Sequence, residues 1–407
     1  MSNPKYDIIV FGATSFVGKI LSHYLVETFG KDLNWAAAAR SRSKLDALIT
    51  DLGPAGKDIP TIEADASDEA SLKAMCSQAK VIISTVGPYA LYGEPLVKAC
   101  VETGTDYCDL TGEIQWIHRM IQKYETQAKE SGARIVHCSG FDSIPSDLGV
   151  YYLQQHAQKR FGKPCNKVKM RVWRMRGGAS GGTAASLLNA VKEAATDPKT
   201  RKIMGNPYSI CPDDYQPSLR QPDVKFAQKD SDFGVWVAPF IMAGINTRVV
   251  QRSHVLLGQA YGGNFTYEEA MSTGNGLQGA ARAASISAAM AGLVVGAAIG
   301  PIRGLLAKLF PEPGDGPSPE EQANGFYDLR FHGTTTDGDS LRVKVYGDRD
   351  PGYGSTAKML GQAGACLAFD TPKDEFGGGF WTPASLYGER LIKRLERDAG
   401  LSFEILS

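Results

Sequence analysis

Two runs near the N-terminus carry residues that could hold a nucleotide. The first is GATSFVG, Gly12 to Gly18, which follows the apolar run Tyr6–Phe11. A turn between a strand and a helix offers phosphate free backbone amides and the positive end of the helix dipole. Gly12 permits the tight turn, and Gly18 lets the helix pack closely on the sheet. The middle slot, where glycine is usual, holds Ser15. Serine is small, and its hydroxyl could donate to a phosphate oxygen. Thr14, Ser15, Phe16 and Val17 are therefore expected to line the pyrophosphate site with the two glycines. The second run is Arg40-Ser41-Arg42, at the end of the next candidate strand. Sites for NAD place an acid there to hold the ribose hydroxyls. Two guanidinium groups and a hydroxyl suit a 2′-phosphate instead, which points to NADP(H). Asp65 ends the third candidate strand, where its carboxylate could accept from the adenine amine. Thr85, Val86, Gly87, Pro88 and Tyr89 close the fourth and should border the nicotinamide half.

Further residues could move protons. Tyr89 is the first candidate donor, with Tyr92 a weaker one. Asp109 and Glu113 lie four apart after the fifth candidate strand and could share a proton. The same segment also reads as a helix start, with Thr111 as the cap and Glu113 in the first turn. Asp142 could face the cleft. Ser143 or Ser146 reads as the cap of a helix beginning near Pro145. His137 and Cys138 fall inside an apolar strand and read as core. Asn246 and Arg248 share one face of a candidate strand, where they either touch a substrate anion or face solvent.

Rival chemistries find less support. Short-chain dehydrogenases place lysine four residues after the catalytic tyrosine, and none of the 16 tyrosines has that partner. The cysteines and histidines show no zinc-ligand spacing, so no metal is expected. GASGG, Gly178 to Gly182, fits the pattern of a hydrolase nucleophile at Ser180, with His254 or His332 as base. It reads more readily as a flexible glycine loop or a helix start.

The elements that must position these residues alternate strand and helix through about residue 150. Candidate strands at 6–11, 35–40, 59–65, 81–87, 106–110 and 134–140 are separated by helical patterns. This implies βαβ units and a doubly wound parallel sheet. From Lys167 the style changes. KVKMRVWRMRG and a hairpin around Asp337-Gly338 predict a second α/β domain with a mixed or antiparallel sheet. The organisation expected is residues 1–150 for the nucleotide, 151–350 for substrate or dimerisation, and 351–407 as C-terminal helices packing back on the first domain.

The 407 residues carry 44 basic and 44 acidic side chains, so no nucleic-acid partner is expected. Seven cysteines without a CxxC pair read as reduced thiols, and the chain runs straight into a strand without a leader, which suggests the cytoplasm. Between Arg282 and Arg303 lie 20 uncharged residues, largely Ala, Gly and Ser. The segment 283–310 reads as a buried or substrate-covering helix, as a peripheral lipid contact, or least readily as a span. A flexible loop is expected at 311–324.

Longer motifs carry a resemblance. STVGPYALYGEPLVKACVETGTDYCDLTGE, CSGFDSIPSDLGVYYL, GGASGGTAASLLN and PFIMAGINTRVVQRS resemble the saccharopine dehydrogenase-like oxidoreductases. The closing stretch, GYGSTAKMLGQAGACLAFD through GGGFWTPASLYGERLIKRLERDAGLSF, is similar to the bacterial branch with trans-acting enoyl reductases. The resemblance implies a Rossmann domain, an α/β domain and an NADPH-linked oxidoreductase. Amino-acid carboxylates would need a basic clamp. The strand ends here are neutral or acidic, and only Arg174, Arg176 and Arg248 could supply one. An acyl or lipid-like substrate is therefore the first expectation. The alternatives are a saccharopine-type imine dehydrogenase and a non-catalytic lipid-associated protein that keeps the fold; a homodimer is a further expectation.

Overall fold

In a computed structural model, the described residues are 4–178, 181–217, 219–308 and 316–406. Their strands are β1 (Tyr6–Phe11), β2 (Trp35–Ala39), β3 (Thr61–Glu63), β4 (Ala79–Ser84), β5 (Asp106–Asp109), β6 (Arg134–Val136) and β7 (Lys167–Arg176). Then follow β8 (Gln228–Asp230), β9 (Val235–Pro239), β10 (Thr266–Gly274), β11 (Phe326–Thr334), β12 (Ser340–Gly347), β13 (Gly379–Trp381) and β14 (Leu401–Ile405).

The short apolar runs of β1, β2 and β4 are buried almost throughout. That is the signature of parallel strands covered on both faces. The first sheet has the order β13-β6-β5-β4-β1-β2-β3, and every pairing is parallel. The order reverses between β1 and β4, which opens a crevice at their carboxyl ends.

The second sheet runs β14-β12-β11-β7-β10-β9-β8. It is mixed, because β7 and β10 pair in parallel while the other pairings are antiparallel. Along β11, buried and half-buried residues alternate, so one face meets the core. The hairpin forms as the Asp337-Gly338 signal predicts, and the pairing closes at Thr334 and Ser340.

One hydrophobic cluster runs through both sheets. It joins Ile8, Val10 and Ile83 of the first to Met170, Phe331 and Val343 of the second. Leu148 and Leu153 of helix Ile144–Phe161 connect them, with Leu360 of helix Thr356–Phe369. Helix Thr356–Phe369 lies on β1, β4 and β5, as expected of a C-terminal segment returning to the first domain. Two C-terminal features were not legible. β13 extends the first sheet beside β6, and β14 joins the edge of the second at β12.

The charge-free run forms helix Gly276–Ala298, followed by helix Gly300–Ala307. It is not a buried helix: only Gly279, Ala283, Ser287, Gly296 and Ala297 are sequestered. Of the expected loop 311–324, residues 311–315 lie outside the described residues, and Pro319–Ala323 is helical behind a capping box from Ser318 to Glu321.

Candidate active site

The site begins where β1 turns into helix Phe16–Phe29. Gly12 sits at φ +86°, a conformation that favours glycine. A Cβ there would lie 2.7 Å from both Thr85 Oγ1 and Val86 Cγ2. A Cβ on Gly18 would lie 2.1 Å from the Gly12 carbonyl oxygen. Both positions admit only glycine, which leaves a bare backbone cradle with the first helix amides of Phe16 and Val17 at its floor. This cradle fits a dinucleotide pyrophosphate.

Ser15 takes a different part from the one expected. Its Oγ accepts from the Gly18 amide at 3.0 Å and lies 2.9 Å from Thr85 Oγ1. Thr85 in turn donates to the Gly12 carbonyl at 2.9 Å. With that proton committed, the hydrogen between the two hydroxyls comes from Ser15. The hydroxyl expected to reach phosphate is spent caping the helix and tying the turn to the end of β4. Phe16 packs edge-on against Tyr353, with ring centroids 5.2 Å apart, so the C-terminal segment walls the turn.

At the second strand end, Arg40 is exposed and close enough to Asp65 to help hold its carboxyl low. The larger cause of that depression is Ser67, whose amide and hydroxyl both bind Asp65 Oδ1. Arg42 pairs with Asp46 at 3.1 Å, and Ser41 caps helix Arg42–Asp51 through the Lys44 amide. Arg40 is thus the guanidinium best placed to meet a 2′-phosphate.

At the fourth strand end, Tyr89 is buried and its hydroxyl donates to the Ser84 carbonyl at 2.9 Å. Burial, with the nearby Asp109, pushes its phenol well above the usual range. Such a group is a poor proton donor; it braces the turn Thr85–Pro88. Tyr92 is exposed.

Asp109 and Glu113 do not share a proton. Both Asp109 oxygens are engaged, by Tyr107 Oη, His137 Nδ1 and the amides of Thr111 and Cys138. Glu113 accepts from the amides of Tyr89 and Ala90 at 2.8 and 2.9 Å, which caps helix Tyr89–Tyr92. Its Oε1 also accepts from Ser186 at 3.0 Å. Burial raises the Glu113 carboxyl, and those donors partly offset it. His137 is buried as expected, but it lies just past the end of β6 rather than inside the strand, and it is also held by Asp109.

Asp142 is a half-buried carboxyl beside the same strand ends. It lies over two glycines at the ends of β5 and β6. A Cβ on Gly112 would be 3.0 Å from its Oδ1, and one on Gly140 would be 3.4 Å from its Oδ2. Burial pushes Asp142 up to about 7, with Asp109 and Glu113 adding in the same direction. A carboxyl titrating there can hold and release a proton at neutral pH.

Several expected contacts resolve differently. Asn246 and Arg248 lie on helix Ala243–Leu256, not on a strand, so a two-residue spacing separates their directions. Asn246 binds Ser143, Ser146 and Glu269; Ser143 is the N-cap residue of helix Ile144–Phe161, as one of the two expected, but its hydroxyl goes to Asn246 and caps no helix amide. Arg248 donates to the carbonyls of Gly244 and Met204. Arg174 and Arg176 are exposed at the end of β7. Ser180 lies outside the described residues. His254 is buried, accepts from the Tyr261 amide, and is pushed down to about 4 by burial. His332 takes a bond from Arg342. Among the described residues no group of histidines, cysteines and carboxylates could hold a metal.

Ser186, Ile245, Tyr353 and Thr356 border the site and were not singled out from sequence. Ile245 Cδ1 is 2.9 Å from where a Gly112 Cβ would lie, and Thr356 Oγ1 accepts from the Phe141 amide. Cys138, at φ +59°, holds a conformation rare for non-glycine residues beside this site.

Residues 8–136 match the saccharopine dehydrogenase NADP binding domain. A Mycobacterium tuberculosis protein is 40% identical over 98% of this chain and 97% of its own. The trans-acting enoyl reductase of Mycobacterium bovis is 38% identical, over 96% of each chain. Among solved structures, the L-Glu-forming saccharopine dehydrogenase of Saccharomyces cerevisiae shares the fold, with a TM-score of 0.55 at 14% identity over 99% of this chain and 100% of that one. The chain belongs to the saccharopine dehydrogenase-like oxidoreductases, in the branch that contains proteins named trans-acting enoyl reductases.

Proposed function

We propose that the protein is an NADPH-dependent reductase of an α,β-unsaturated acyl thioester. The observation that carries this reading is the electrostatic character of the strand ends. Asp109, Glu113 and Asp142 gather there, while Arg248 is engaged by carbonyls and Arg174 and Arg176 are exposed on β7. Strand ends of this kind set none of these guanidinium groups to clamp a dicarboxylic amino acid and tolerate a neutral acyl chain.

The glycine cradle would hold the pyrophosphate, and Arg40, with Ser41, the 2′-phosphate. When bound, the cofactor supplies a hydride to the β-carbon of the acyl group. Asp142 then provides the proton for the α-carbon, directly or through water. Glu113, Tyr89 and Ser186 brace the turn Thr85–Pro88, which would hold the nicotinamide end. The relatives named as enoyl reductases support the substrate class.

The test is NADPH consumption with a trans-2-enoyl thioester, set beside saccharopine with NADP⁺. Turnover with the thioester and none with saccharopine is expected; the reverse pattern overturns the reading.

A further inference from the structure

Helix Gly276–Ala298 is 23 residues long and apolar, yet only 22% of its most apolar stretch is buried. Leu277 is 91% exposed, Val294 53% and Val295 60%. Ile299 and Ile302 continue the exposed surface into the next helix. Single exposed apolar residues are ordinary, but a contiguous apolar surface marks a contact.

The charge around it has one sign. From Ala270 to Pro311 there is no aspartate or glutamate, and the charges are Arg282, Arg303 and Lys308. The whole chain balances acids and bases, so this local excess is a property of the segment. An apolar face flanked by cations is complementary to an anionic lipid surface.

Two other occupants fit less well. A spanning helix would have to leave the fold, but Gly279 near one end and Gly296 and Ala297 near the other are buried against it. The helix therefore lies along the protein surface. Its charge-free part, Ala283 to Ala298, is also about 24 Å long, short of the hydrocarbon core of about 30 Å. A second copy of the chain would bring the same cationic patch against itself, with no acid in the segment to pair across a two-fold axis.

We infer that helix Gly276–Ala298 docks in the plane of an anionic lipid bilayer, with Val294, Val295, Ile299 and Ile302 inserted and Arg282, Arg303 and Lys308 at headgroup level. The placement has a consequence for the site. Both apolar helices pack on helix Gly181–Thr196, whose Ser186 bonds Glu113. Helix Gly181–Thr196 thus touches both the apolar helices and the Glu113 carboxyl at the strand ends. An acyl substrate could then be drawn from the lipid phase; this consequence rests on the reductase reading, whereas the docking does not.

The experiment is flotation of the full chain with vesicles of phosphatidylcholine, with and without about a third phosphatidylserine. Binding to the anionic vesicles is expected, weakened by salt, and reduced at least about tenfold by Val294→Asp with Val295→Asp. All seven native cysteines are buried, so a Val295→Cys variant can be labelled selectively with an environment-sensitive dye. Its emission should rise and shift to the blue on adding anionic vesicles, which checks insertion without the aspartate variants. No flotation and no dye response overturn the inference. So does a dimer in light scattering that the aspartate pair separates, which would assign the face to a second copy. Neither measurement uses cofactor or substrate, so its failure is distinguishable from failure of the reductase reading.

Discussion

The hydroxyls of Ser15 and Thr85 lie 2.9 Å apart, across the crevice where the strand order reverses. Ser15 caps the first helix and Thr85 closes on the Gly12 carbonyl, so one short chain of hydrogen bonds joins the turn after β1 to the end of β4. The two halves of the cofactor site are thereby fixed to each other. A Thr85→Val substitution keeps the shape and removes the link. It should cost about 1–3 kcal/mol of stability, the range for leaving buried partners unsatisfied. It should also raise the Kd for NADPH several-fold in a fluorescence titration.

Arg40 and Arg42 should separate cleanly. Arg42 already has Asp46 as a partner, whereas Arg40 is exposed at the ribose end of the strand. Arg40→Asp should remove about 1–3 kcal/mol of preference for NADPH over NADH. Arg42→Ala should change it far less. Calorimetric titration of both cofactors against each variant measures this, and equal affinities in the unchanged protein would count against the 2′-phosphate assignment.

The raised carboxyl of Asp142 gives a pH dependence with a definite sign. A donor near 7 is protonated on the acid side, so kcat should fall as pH rises through about 7. Asp142→Asn should lower kcat by about 100-fold or more and flatten the profile. Ser186→Ala, which removes a hydrogen bond to Glu113, should retain the shape of the profile.

Stability should follow the same direction. Burial also pushes Asp147 up to about 7; its oxygens accept from Ser253 Oγ and the Ala384 amide. Both acids titrate near 3.8 when unfolded, so the folded state binds more protons between there and 7. Their contribution is complete below the unfolded value and is lost as pH rises through the folded one. Tm should therefore decline between about pH 5 and 7 and level off above. Asp142→Asn with Asp147→Asn should remove most of that slope.

The second sheet rests on a buried charge cluster. Arg171 is fully buried and held by Asp230 and Glu268. Arg171→Met would leave Glu268 without its cation and Asp230 with only Lys169, 3.6 Å away, and should cost about 3–5 kcal/mol in denaturant unfolding.

The sequence placed the turn, the strand ends and the parallel sheet because those signals are local. Gly18 must be glycine because the Gly12 carbonyl lies six residues back, and the turn at Gly12 needs its positive φ, although the Thr85 and Val86 side chains that also crowd it come from far along the chain. What the side chains do there depends on partners far along the chain. Ser15 meets Thr85 after 70 residues, and Glu113 meets Ser186 after 73. Tyr89 stands at the expected strand end, yet its hydroxyl turns back to Ser84. Asn246 and Arg248 were misread as strand residues because Ile245, Val249 and Val250 are β-branched; packing on β10 and helix Ile144–Phe161 decides for helix. β13, three residues beginning at a glycine, carries no periodicity to read.

Hydride transfer to an acyl β-carbon with Asp142 as proton source leaves an isotopic trace in the product. NADPH deuterated at nicotinamide C4 (each face in turn), incubated with a trans-2-enoyl thioester, tests it by mass spectrometry of the product. One deuterium at the β-carbon is expected from one face only, with Asp142→Asn slowing its appearance. A saturated product without deuterium at that carbon, or no product beside a reduced imine in a parallel reaction, would contradict it.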